Sequence, residues 1–227
     1  MLVVMADRSY GDSCGVARAL DAIGERWALL VVRELLLGPK RFGDLHRGLA
    51  GMSQNVLAQR LRELEAAGIV ERRRLGPPAG TAAYALTERG AALEPVLVEL
   101  GRWGRHRPLD PQAEMSLDAF VLALKTTDTG GEKVTAVLDS DGDRVILRAG
   151  ARTLAAERGD TDRADARANA GVAVLRELAF GGRRVGDAIA AHDLVVDGDA
   201  AALQRLFDRF PSRAGQPVSK AGQRATW

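Results

Sequence analysis

The side chains best placed to do chemistry in this sequence are hydrogen-bonding ones, not catalytic ones. Ser53, Gln54, Asn55, Gln59 and Arg62 fall between Gly51 and Gly68. Amide and guanidinium groups make paired hydrogen bonds to purine edges in a major groove. Arg72, Arg73 and Arg74 follow as a consecutive run. Such cations reach phosphates or a minor groove. The parts of an enzyme are not assembled. His46, His106 and His192 are scattered, Cys14 has no nearby histidine, and no spacing is that of metal ligands. Gly130-Gly131 and Gly181-Gly182 lack the strand-turn-helix setting of a phosphate loop. No catalytic residue, metal or cofactor is therefore expected.

Positioning these side chains takes a definite series of elements. Val16–Ile23 and Trp27–Leu37 carry apolar residues at helical spacing, and Gly38-Pro39 stops the second helix. Arg41–Leu49 reads as a short helix with Phe42, Leu45 and Leu49 on one face. Ser53 is a good N-cap for a helix from Gln54 to Ala67, and Gly68 a good stop. Leu57, Leu61 and Leu64 place an apolar stripe on that helix, which leaves Gln54, Asn55, Gln59 and Arg62 on its other face. Ile69–Leu75 and Thr81–Leu86 read as strands around the turn 76–80, and Thr87 caps a last helix through Leu100 to Trp103. Helix, helix, short helix, turn, helix and hairpin is the order of a winged helix-turn-helix. A polar helix face is also simply what solvent favours, and arginines on an edge strand discourage edge pairing. The combination in one order, within about 60 residues, favours the DNA reading.

The bulk properties agree with a two-domain soluble protein. The 227 residues are 46% hydrophobic and 27% charged, with a net charge of +2. Residues 1–110 hold 16 Lys/Arg against 13 Asp/Glu, and the remainder 16 against 17. The small basic excess lies where a phosphate contact is expected. A single cysteine excludes an intramolecular disulfide and fits a reducing cytoplasm, with a nucleoid-associated location expected. Met1–Met5 is too short an apolar run for a signal peptide, and Arg33 and Glu34 interrupt Leu29–Leu37, so no membrane partner is expected.

The first half resembles the HxlR-type winged-helix regulators of prokaryotes. The matching features are Cys14, Gly24-Glu-Arg-Trp27, Arg33-Glu-Leu-Leu36, Arg41-Phe42-Gly-Asp-Leu45 and Gly51-Met-Ser53. They continue through Leu57-Ala-Gln-Arg60-Leu-Arg-Glu-Leu64-Glu65, Gly68-Ile-Val70-Glu-Arg72, Tyr84-Ala-Leu86-Thr87, Gly90 and Trp103-Gly104. Glu25-Arg26 departs from the Gly-Lys usual before the Trp. The resemblance implies a homodimer built on 14–24 and 91–104, with Trp103 as a packing anchor. It implies a double-stranded palindromic operator, and repression by occlusion is the default mode. In some relatives the cysteine equivalent to Cys14 senses oxidants or electrophiles. Here two readings stand, a redox sensor and a small residue at a helix start.

Pro108 and Pro111 mark a linker at 108–116, which divides a domain at 1–107 from one at 117–212. The Gly-, Pro- and Arg-rich segment 213–227 reads as a disordered tail. The second domain is expected to be α+β. Residues 117–125 read as a helix, and Lys133–Asp139 and Asp143–Ala149 as a hairpin around Ser140-Asp-Gly142. Strands at 151–158 and 163–169, helices at 171–180 and 185–191, a strand at 193–197 and a helix at 199–210 follow. This half resembles the sterol carrier protein domain through Ala164–Ala168, Gly182, Val185-Gly-Asp-Ala-Ile189 and Leu194-Val-Val-Asp-Gly198-Asp-Ala-Ala-Ala-Leu203. That likeness implies an apolar cavity for a hydrophobic small-molecule effector. Its candidate lining is Leu122, Val145, Leu147, Leu175, Phe180, Ile189, Leu194, Leu203, Leu206 and Phe207. The same residues would equally make the core of a small domain. The rival function is a lipid or metabolite carrier whose winged helix mediates protein contacts.

Overall fold

A computed structural model describes residues 9–74, 76, 80–105 and 113–210. Contacts divide the chain into two units. The first runs through Thr126 and includes Ala156–Gly159; the second holds Thr127–Ala155 and the chain from Asp160 on.

The first unit contains α1 (Gly15–Ile23), α2 (Ala28–Leu35), α3 (Phe42–Gly48) and α4 (Gln54–Ala66), then β1 (Val70–Arg74) and β2 (Ala82–Leu86). It continues with α5 (Glu88–Ala91), α6 (Glu94–Gly104) and α7 (Leu117–Thr127). The expected stripe on α4 docks as anticipated: Leu57, Leu61 and Leu64 bury against Val31, Val32 and Leu35 of α2 and Leu45 of α3. Burying side chains of this size stabilises by about 1.5–3 kcal/mol each. Ser53 Oγ accepts from the Val56 N–H at 3.4 Å, and Gly68, at φ +67°, ends the helix in a left-handed turn. The helix expected after Thr87 is two helices. Thr87 Oγ1 caps α5 by accepting from the Gly90 N–H, and Pro95 opens α6 in the first turn, where its missing N–H is not needed. Gly90 sits so close to β1 that an added Cβ would lie 2.1 Å from the Ile69 carbonyl oxygen.

β1 and β2 pair antiparallel with Arg72 opposite Tyr84 and Arg74 opposite Ala82. Lys40, just before α3, pairs with Tyr84 from the other side, N–H to O at 3.0 Å and O to N–H at 2.8 Å. The expected turn at 76–80 lies mostly outside the described residues, as does most of the expected linker. The helix at 117–125 was assigned to the second domain, but α7 clusters with the first unit. Leu122 packs against the first unit's core, so its apolar contacts place it there.

A five-stranded sheet has the strand order β5-β4-β3-β6-β7, and its strands β3, β4, β6 and β7 lie in the second unit with helices. Its strands are β3 (Val134–Ser140), β4 (Asp143–Ala149), β5 (Leu154–Arg158), β6 (Ala166–Asn169) and β7 (Val195–Gly198). Most of β5 falls in the part of the chain that clusters with the first unit. Asp141 and Gly142 both have positive φ, as a two-residue hairpin turn requires. β3 pairs antiparallel with β4 and parallel with β6. The helices are α8 (Val172–Arg176), a π-helical turn (Glu177–Gly181), α9 (Val185–Ala190) and α10 (Ala200–Phe207). Val145, Leu147, Leu175, Leu194, Leu203, Leu206 and Phe207 are all buried, whereas Phe180 is half-buried and Ile189 exposed. Ile189 therefore faces outward. The expected tail 213–227 lies outside the described residues.

Candidate nucleic-acid interface

The N-terminal half of α4 presents the expected polar face. Ser53, Gln54, Asn55 and Arg62 are exposed and Gln59 is half-buried. Asn55, Gln59 and Arg62 recur at helical spacing opposite the leucine stripe, so the three share one face of α4. These groups satisfy one another. Arg62 donates to Gln59 Oε1, and Gln59 Nε2 donates to Glu63 Oε1 at 2.7 Å. Ser53 differs in role, since its hydroxyl caps the helix.

Two features of α4 were not read from the sequence. Val56 is 38% exposed near the helix start, an apolar group on the polar face. Arg60 is buried and pairs with Glu63 and with Glu25, at 3.4 Å from the latter. Its position among the leucines at i, i+4 spacing was the available signal, since a polar residue on the buried stripe needs partners.

The three wing arginines separate in role. Arg72 Nε donates to Glu65 Oε1 of α4 at 2.8 Å, and its guanidinium lies 5.6 Å from the centre of the Tyr84 ring. The Glu65 hydrogen bond, with the nearby charges of Tyr84 and Glu65, raises the Arg72 pKa above its ordinary value. Arg73 donates to Glu71 on its own strand. Arg74 is exposed. Arg72 thus ties the wing to the helix, and Arg73 and Arg74 project from the hairpin.

Cys14 is exposed at the N-cap of α1. Backbone N–H groups of Val16 and Ala17 hold its thiol pKa below the ordinary value. His46 is half-buried and His192 exposed, while His106 lies outside the described residues. Among the described residues no cluster of His, Cys, Asp and Glu could hold a metal, and no helix is long and apolar enough to cross a membrane.

Two cavities lie in the second unit. One of about 500 Å³ is lined by Lys133, Thr135, Arg148, Thr153 and Asp165 among others. One of about 200 Å³ lies under the π-helical turn, against Leu178, Ala179, Gln204, Phe207 and Phe210. Of the ten expected lining residues, only Phe207 borders either.

A helix pair, a polar helix set on it and a basic hairpin tethered beside it define a winged helix-turn-helix protein. Residues 22–110 match the family model described as HxlR-like helix-turn-helix. The chain is 39% identical over 102 residues to the uncharacterized HTH-type transcriptional regulator YkvN of Bacillus subtilis, a match spanning 45% of this chain and 86% of that protein. It is 41% identical over 85 residues to the HTH-type transcriptional regulator YodB of the same organism, spanning 37% and 76%. The structure of reduced YodB is similar at 38% identity, covering 44% of this chain and 100% of that one with a TM-score of 0.38. The chain belongs to the HxlR-like helix-turn-helix family, through its N-terminal half.

Proposed function

We propose that the protein is a dimeric repressor that reads a palindromic operator with α4 and clamps the flanking backbone with its wing. The observation that carries this is the tether from Arg72 to Glu65, which joins a basic hairpin to the helix that carries the exposed Asn55 and Arg62 and the half-buried Gln59. The two elements then present base-reading and phosphate-binding groups as one surface. Repression follows from occlusion of the bound site.

The dimer reading is supported by exposed apolar side chains on α1 and on α6. Val16 and Leu20 on α1, and Val96, Leu100 and Trp103 on α6, are between 43% and 75% exposed. They recur at i, i+4 and i+7, so each helix shows one apolar stripe to solvent. A second copy covers these stripes, and a twofold axis then sets two α4 helices on successive half-sites.

Control lies in two places in this reading. Cys14 responds to electrophiles because its exposed thiol ionises more readily than usual. The second unit is the sterol-carrier-like effector domain. The cavity with Phe207 and Phe210 at its wall and Arg183, Arg184 and Gln204 around it suits a small molecule with an apolar body and a polar end.

The test is selection of duplexes from a randomised pool by the full chain, followed by binding titrations. Arg62→Ala and Gln59→Ala should relax preference at particular positions, by about 1–3 kcal/mol for a lost bidentate contact. Arg73→Ala and Arg74→Ala should weaken all duplexes alike and flatten the salt dependence. No enrichment from the pool would sink the DNA reading and leave the carrier alternative.

A further inference from the structure

A buried ionic cluster within the first unit joins residues that the family match covers to residues beyond it. Glu34 and Asp118 are 0% and 2% exposed, and Lys40 is 5% exposed. Lys40 Nζ donates to Glu34 Oε2 at 2.8 Å and to Asp118 Oδ2 at 2.5 Å. Arg158 grips both oxygens of Asp118 at 2.7 and 2.9 Å. Ser116 Oγ donates to Glu34 Oε1 at 2.7 Å, and Arg33 donates to the same oxygen. Ser116, Asp118 and Arg158 all lie outside residues 22–110.

We propose that Asp118 and Arg158 are positioning residues for DNA reading, acting through Lys40. The backbone of Lys40 pairs with Tyr84 of the wing, and the next residue, Arg41, is the N-cap of α3. The Arg158 N–H donates to the Leu37 carbonyl at 2.8 Å, in the same connection between α2 and α3. The segment 37–40 is therefore held by side chain and backbone together. Its place sets where α3 starts and where β2 lies. α3 closes on the cluster as well, since a Cβ at Gly48 would stand 2.2 Å from Glu34 Oε2.

Charge gives this cluster a role that apolar packing would not. Buried ion pairs add little net stability over well-packed apolar residues, but removing one partner strands the others, and they can fix a single register. Lys40 finds both carboxylates only when α2, α7 and the wing stand in one arrangement. The inference rests on the DNA reading above, and a measurement of wing position separates the two.

Spin labels at Ala66 on α4 and Ala82 on β2, both exposed, in a Cys14→Ser background would report the distance between recognition helix and wing. Asp118→Asn and Arg158→Met should broaden that distance distribution while helix content by circular dichroism is kept. In the otherwise unlabelled full chain the same variants should lower affinity for a pool-selected duplex at least tenfold and flatten its salt dependence, and Asp118→Glu should recover part of both. If Asp118→Asn does not fold, Arg158→Met decides. An unchanged distance in a folded variant overturns the proposal. So does a loss of affinity equal for selected and random duplexes and matched to the unfolded fraction. If the parent binds no duplex selectively, the DNA reading fails, and the label distances still decide the positioning claim.

Discussion

Arg72 of the wing donates its Nε–H to Glu65 of α4 at 2.8 Å, so an acidic residue of the helix holds one of the three basic residues of the hairpin. The pair joins the hairpin to α4. It also occupies one of the hairpin's cations. Both partners have solvent access, so the pair is weak as a stabilising contact.

Glu65→Gln should therefore separate these effects. The released Arg72 and the lost negative charge should steepen the slope of log K against log salt by about one, for one added phosphate contact. Discrimination between selected and random duplexes should fall, because the wing is less fixed. Thermal unfolding should barely change. Unaltered slope and discrimination would show that the tether does not govern DNA contact.

Arg209 stitches the second unit. Its guanidinium is buried, grips Asp128 through Nε and Nη2 at 2.8 and 2.9 Å, and donates to the Gly150 carbonyl at 2.8 Å. Arg209→Ala strands a largely buried carboxylate and should cost about 3–5 kcal/mol. Arg209→Lys keeps the charge and loses the fork, so it should cost less. Hydrogen exchange by mass spectrometry should show faster exchange in peptides of β3 and β4 and no change in α4. Equal acceleration in α4 would contradict a role confined to the second unit.

Gly90→Ala forces a methyl group against the Ile69 carbonyl, 2.1 Å away before relaxation, and within 3.2 Å of the Leu86 side chain. The neighbour is backbone and cannot simply rotate aside. A loss of about 1–3 kcal/mol is expected from urea unfolding, as for other overpacked sites. A stability equal to the parent's would mean that α5 can shift without cost.

Cys14 should react at lower pH than an ordinary thiol. Its pKa is lowered by the Val16 and Ala17 N–H groups, so the thiolate persists as pH falls through the ordinary thiol range and is lost only below the shifted value. The pH profile of alkylation by iodoacetamide should therefore lie to the acid side of that of a short peptide spanning residues 10–18. Coincident profiles would remove the physical basis for sensing. A shifted profile with operator release by diamide unchanged in Cys14→Ser would leave the thiol reactive but not regulatory.

The local features were legible because neighbours in sequence decide them. The leucine spacing of α4 predicted its buried face, Ser53 its cap and Gly68 its end. The pair Asp141-Gly142 predicted a hairpin, and both residues adopt the left-handed backbone it needs. The polar face of α4 followed from the stripe by subtraction. The three wing arginines were equal in the sequence, since their difference depends on Glu65 of another element.

Sequence alone determined the winged helix and the polar face of α4, because periodicity, caps and turns act over a few residues. Tertiary structure decided the rest, because burial brings distant residues to one place. It put Leu122 in the first core and turned Ile189 outward. It paired β3 with β6 across the intervening hairpin, and brought Asp118 and Arg158 to Lys40. A lysine, an aspartate and an arginine far apart in the chain read as surface charges until packing buries Lys40 and Asp118 and sets Arg158 against the same carboxylate.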